Sequence, residues 1–190
     1  MPFVLLVVLV AVAISAVRGG RLRDVAEAPL HHGWLLALGV ALQVGVDVAA
    51  ARDVLVPGAW WTYALLLLSQ LLVVGWVVAN RHLPGLVLVA AGLAANALVM
   101  AANGAMPVSP EAIAALGIEG AEVPPGKHML LDADTRLPWL ADIIPVPPIR
   151  SIISVGDLVL AAGLVPLTHA LMTWSSRADR EPATEAAGEA

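Results

Sequence analysis

The sequence predicts an all-α membrane protein: a five-span transmembrane helical bundle with a long, partly structured extracytoplasmic loop between spans four and five. Three observations predict it. Of the 190 residues, 59% are hydrophobic and only 13% charged, with a mean hydropathy of +0.86, whereas a soluble domain is nearer half apolar and a quarter charged. The apolar residues gather into separate long runs. The basic residues between those runs alternate as the positive-inside rule requires of a multi-pass chain.

The first run, Pro2–Val17, falls short of the ~20 residues that cross a ~30 Å hydrocarbon core. It crosses by thinning the bilayer locally or by extending into its flanks. Its positive charges, Arg18, Arg21 and Arg23, follow the run. A secretory signal peptide has the reverse polarity, so the run reads as a retained helix with its amino end outside. The runs Leu30–Ala50, Trp60–Ala79, Leu83–Ala102 and Val155–Trp174 each come close to a full crossing. None shows the two-residue alternation of barrel strands.

Orientation follows from charge. The inner side takes Arg18, Arg21 and Arg23, then Arg81 in the turn Asn80-Arg81-His82, then Arg177 and Arg180. The outer side takes Arg52 and the loop 103–150, where six acidic residues face three basic ones. Trp34, Trp76 and Trp174 fall at inner helix ends, and Trp60, Trp61 and Tyr63 at an outer end, as aromatic belts do. Residues 1–174 thus form one membrane domain. Residues 175–190, polar and alanine-rich, are expected to be a disordered cytoplasmic tail. Arginine outnumbers lysine nine to one among abundant alanine, valine and leucine, a composition that suggests a high-GC bacterial genome and hence the bacterial cytoplasmic membrane.

Composition also excludes several functions. A net charge of −5 argues against nucleic acid, which wants a basic face. The absence of cysteine removes disulfides, thiolate metal sites and cysteine nucleophiles. No nucleophile elbow, phosphate loop or His-Glu-x-x-His motif occurs. No cofactor or metal is expected, and the reading leans away from an enzyme.

The polar residues within the runs concentrate at the outer side. Gln43 and Asp47 stand four apart on one helix face, with Gly39 four residues before them. Asn96 and Asn103 are seven apart and share a stripe with Gly92. Ser154-x-x-Asp157 opens the fifth run as a capping box, with the serine accepting from a backbone N–H and the aspartate reaching back. One reading takes these residues as caps and as glue between close-packed helices. The other takes Gln43, Asp47, Asn96, Asn103 and Asp157 as an outward polar cup, with Lys127 and His128 in the loop above it. Two carboxylates meeting there would repel, leaving one protonated. Ser69, Gln70, Thr168 and His169 are weaker signals, with His169 expected to be hydrogen-bonded or snorkelling.

The loop 103–150 exceeds an ordinary connection. Ser109 as cap, Pro110 at the first helical position and Gly117 as stop predict a short helix. Leu137–Pro148, broken by four prolines, cannot span and is expected to lie in the interface or over the bundle, anchored by Trp139. His128, Asp132, Asp134 and Asp142 are possible metal donors, but the Asp-x-Asp pair lacks the glycine and final glutamate of a calcium loop. Turn chemistry is the expectation there.

Five islands in order resemble an uncharacterised, domain-of-unknown-function family of small multi-pass membrane proteins of actinobacteria and Gram-positive relatives. They are Arg18–Leu22, Asn103–Val108, Lys127-His128, Leu140–Pro145 and Ser154–Asp157. The resemblance implies no activity and no catalytic residue. The expected function is a non-enzymatic envelope binding or interaction module, in contact with membrane lipids and with a protein partner or small ligand at its outer face. The alternatives are a small transporter or lipid-handling carrier acting as an oligomer, and an outward-facing hydrolase using Asp157 or Asp47 with His128. Asp157→Asn separates them: a cap loses modest stability and keeps function, whereas a reacting carboxylate leaves a folded, inactive chain.

Overall fold

The computed structural model describes residues 2–52, 54, 60–117 and 128–175. The expected tail from residue 176 onward, together with Lys127, lies outside the described residues, and so does the side chain of Asp47. The chain is mostly helical. The long helices are α1 (Pro2–Val17), α3 (Gly33–Ala51), α4 (Trp60–Ala79), α5 (Leu86–Asn103) and α7 (Val155–Met172), with α2 (Leu22–Glu27) and α6 (Pro110–Ala115) as short ones. α3 and α5 each begin three residues later than their apolar runs. His32 (φ 52°) precedes α3, and Gly85 (φ 83°) caps α5; neither conformation continues a right-handed helix. Among the described residues, α5 and α7 are the two helices long and apolar enough to cross a membrane.

α7 is the centre of the packing. α5 lies antiparallel against it, α1 packs parallel to it, and α2 crosses its end; α3 pairs with α4. Glycines set the closest approaches. A Cβ on Gly92 would lie 2.5 Å from the Gly156 carbonyl oxygen and 2.6 Å from the Leu160 nitrogen. Gly163 and Gly85 repeat the pattern one contact further along. Backbones that approach this closely admit only small residues. Gly39 does the same for α3 on α4, where an added Cβ would meet Val73 and the Ser69 carbonyl at 3.0 and 3.1 Å.

At the end carrying α2, Trp76, Val77, Leu83, Leu86 and Leu167 form a buried cluster. Trp76, expected in an interfacial belt, is instead 7% exposed within this cluster, whereas Trp34 is exposed. Asn80 is wholly buried; its amide donates to the Trp76 and His31 carbonyls and accepts from the His31 N–H. It ties the start of α3 to the turn after α4. Ser15 on α1 and His169 on α7 are hydrogen-bonded at 3.0 Å, so His169 has the local partner its position predicts.

The connection from α5 to α7 is not purely helical. Among the described residues, four three-residue strands amend the all-α expectation. β1 (Met106–Val108) pairs in parallel with β2 (His128–Leu130), and β3 (Ile144–Val146) pairs antiparallel with β4 (Ser151–Ile153). α6 begins with Ser109 as its cap and Pro110 first in the helix, and Gly117 (φ 65°) follows its end, as expected. Leu137 and Arg150 both adopt positive φ and start or end single 3₁₀ turns, Pro138–Leu140 and Pro147–Ile149. The prolines therefore do not extend this segment; they fold it back onto α5 and α7.

Candidate functional site

The site is built where the Gly92–Gly156 approach brings α5 against the first turn of α7. The capping box forms as the sequence predicts. Ser154 Oγ accepts from the Asp157 N–H at 3.0 Å, and Asp157 Oδ2 accepts from the Ser154 N–H at 3.2 Å. Asn96 then closes a ring across the two helices. Its Nδ2 donates to Asp157 Oδ1 at 2.8 Å, and its Oδ1 accepts from Ser154 Oγ at 2.9 Å. Each oxygen of Asp157 has a donor. Ser154 Oγ serves as donor to Asn96 and as acceptor for the Asp157 N–H. Ser109 Oγ is committed likewise, accepting from the Ala112 N–H at 3.1 Å and donating to Glu111 Oε2 at 2.6 Å. That bond holds the Glu111 carboxyl below its ordinary range.

Asp142 completes the site from the connection. Its backbone is pinned on both sides: its N–H donates to the Pro107 carbonyl and its carbonyl accepts from the Ser109 N–H, each at 2.9 Å. It forms a parallel bridge with Val108. The pairing of Ile144 with Ile153 sets Asp142, two residues upstream, against the head of α7. The side chain is only 8% exposed, and its Oδ1 has no hydrogen-bond partner. Burial, reinforced by the neighbouring Asp157 charge and weakly opposed by the chain's amino-terminal charge, pushes the Asp142 carboxyl up to about 7.

The other expected site residues fall around this centre or away from it. Asn103, at the end of α5, receives the Arg136 N–H and donates to the Arg136 and Val99 carbonyls, all at 2.8 Å. It anchors the connection and is saturated in doing so. Beside it opens a cleft of about 330 Å³ lined by Ala102, Asn103, Met129, Asp132, Asp134, Thr135 and Arg136. Asp132 there organises a turn, with Oδ1 accepting from the Asp134 N–H and the Thr135 hydroxyl, the turn chemistry the sequence predicts. His128 starts β2 opposite Met106 and is half-buried. Gln43 is half-buried on the α3–α4 pair and makes no hydrogen bond to Asn96 or Asp157. Among the described residues, no group of three or more His, Cys, Asp or Glu side chains gathers as a metal site.

Sequence reasoning placed Asp157 and Asn96 at the outer helix ends but did not join Asp142 to them. The signal was present: a lone carboxylate after Leu140-Ala141, inside an apolar stretch.

No curated protein and no solved structure matches the chain. A family model does match residues 27–168, spanning α3 to most of α7 and containing Asn96, Asp142 and Asp157; four of the five islands fall within it, and Arg18–Leu22 falls outside. The chain therefore belongs to DUF5317, a family of unknown function.

Proposed function

We propose that the protein is a multi-pass protein of the bacterial cytoplasmic membrane with five spans. Its amino end lies outside and its carboxyl end in the cytoplasm. It serves as a non-enzymatic binding module of the envelope. The observation that carries this reading is the Asn96–Ser154–Asp157 ring with the buried Asp142 folded over it from the α5–α7 connection. The buried, unpartnered Asp142 oxygen above the ring is the group that supports recognition of a ligand or partner.

Three features support the membrane placement. Leu5, Leu71 and Val87 are 61%, 59% and 62% exposed on helices otherwise poor in polar groups, surfaces suited to acyl chains and not to water. α5 and α7 are long and apolar enough to cross a bilayer. Exposed Arg18, Arg21, Arg23 and Arg81 gather at the helix ends opposite the acidic cluster, as the positive-inside rule asks. Membrane lipids contact the flanks, and the cleft beside Asn103 admits a small ligand or a peptide from a partner.

Single cysteines in this cysteine-free chain test the reading. In sealed cells an impermeant thiol reagent is expected to label Asp134→Cys rapidly and to leave Arg81→Cys unlabelled until the cells are opened. The reverse pattern overturns the orientation. For the binding role, protein extracted from its own membranes is expected to carry a non-covalent adduct in native mass spectrometry. Asn96→Ala should lose it, and a bare chain in every preparation would contradict a binding module.

A further inference from the structure

We propose that Asp142 and Asp157 form a carboxyl–carboxylate pair that binds one proton, and that this proton latches the α5–α7 connection onto the head of α7. The geometry points to a missing positive charge. Asp157 already has a hydrogen bond on each oxygen. Asp142 is buried beside it with Oδ1 unpartnered, and its backbone is held on both sides by the Pro107 and Ser109 contacts. No ion pair to either carboxylate occurs among the described residues. Two unneutralised carboxylates in one dry place repel strongly, and a single proton removes that repulsion.

The groups around the pair leave the proton as the occupant. α7 contributes Asp157 and α5 the neutral Asn96. The chain's amino-terminal charge acts weakly in the opposite sense to Asp157. The segment of β1 and α6 contributes only Glu111, exposed and held by the Ser109 hydroxyl. A metal ion would want more oxygen ligands than two carboxylates supply in a site this dry.

The chemistry is a simple ionisation. Below the transition Asp142 is a neutral acid. Above it Asp142 releases its proton to solvent and stands as an anion beside the Asp157 side chain. Folding raises the Asp142 carboxyl from 3.8 to about 7. The folded chain therefore holds a proton that the unfolded chain has already released. The pair's contribution to stability is fully present below 3.8, falls as the pH rises from there, and is gone once the pH has passed about 7. The Val108–Asp142 bridge and the two backbone bonds of Asp142 are the contacts that loosen when the second charge appears.

This deepens the reading of the same cluster as a binding site, yet the tests are separable: the labelling pattern reports orientation and ignores pH, whereas the latch titrates in any orientation. The experiment is amide hydrogen exchange on the full chain in detergent between about pH 5.5 and about pH 8.5, corrected for the intrinsic pH dependence of exchange. Protection at 106–109 and 140–146 is expected to fall roughly tenfold or more between about pH 5.5 and about 7 and to level off above that, while protection in α4 stays level. Asp142→Asn should remove the step and stay protected throughout. Asp157→Asn, which retains an acceptor for the cap, should move the step about one pH unit lower. A level profile in the wild type, or a step at the same pH in Asp142→Asn, overturns the proposal. So does recovery of protection at high pH on adding calcium chloride in the wild type but not in Asp142→Asn, which would assign the pair to a metal ion.

Discussion

Gly92→Ala lowers the stability of the folded chain by about 1–3 kcal/mol, the cost of overpacking a close contact, whereas Gly45→Ala raises it by up to ~1 kcal/mol. Both are glycines within helices and both substitutions add one methyl, so helix propensity favours alanine at each. What separates them is the space. Around Gly45 nothing lies within 4 Å of an added Cβ. At Gly92 the new carbon meets the Gly156 carbonyl oxygen at 2.5 Å and the Leu160 nitrogen at 2.6 Å. Those are backbone atoms of α7, and a rotamer change cannot move them. The helices must separate, and the separation also lengthens the Asn96–Asp157 bond one turn further along α5. Thermal unfolding of the two variants in the same detergent checks the opposite signs. Equal effects would mean that α5 and α7 do not approach at Gly92.

Asn96→Ala costs about 1–3 kcal/mol, because it leaves the buried Ser154 hydroxyl without its acceptor and the half-buried Asp157 Oδ1 without a donor. Asp157 Oδ1 loses its only side-chain donor, and the Ser154 hydroxyl loses its acceptor. The capping box itself survives, since the Ser154–Asp157 bonds are local, so the helix keeps its start while its tie to α5 is gone. Asn103→Ala offers a contrast. It removes bonds to backbone groups at the exposed end of α5, where water replaces them at lower cost, and it frees the Arg136 segment without disturbing the carboxylates.

Much of the architecture was legible because its signals are local. The bounds of α1 and α4 coincide with apolar runs that end in arginine or in a polar turn. The Ser154–Asp157 cap and the Ser109-Pro110 start of α6 follow from side chains that bond within three residues of themselves. Asp132 and Thr135 make the turn their types favour. The strands were illegible for the opposite reason: three residues carry no periodicity, and the pairing of β1 with β2 joins residues some twenty apart.

The carboxyl pair lies between these cases. Asp157 and Asn96 are polar residues on recognisable stripes, and a stripe shows which face is polar without showing which helix it meets. That is why Gln43 and Asn96, equally placed by spacing, end on different helix pairs. Asp142 reaches Asp157 only through the fold of a proline-rich segment, turned by Leu137 and Arg150 at positive φ. No local rule places a left-handed leucine at that corner. Trp76 shows the same limit, since its sequence position suits an interface and its packing partners Leu83 and Leu86 come from the next helix and turn.

The central claim is that an amide from α5 and a carboxylate from α7 are coupled beneath the connection that carries Asp142. A double-mutant cycle measures that coupling directly, using Asn96→Ala, Asp157→Ala and the pair of them, with unfolding followed in detergent. The double variant is expected to lose less stability than the two single losses added together, by about 1–3 kcal/mol. Losses that simply add would show the two side chains acting independently, and the polar ring at the head of α7 would not exist.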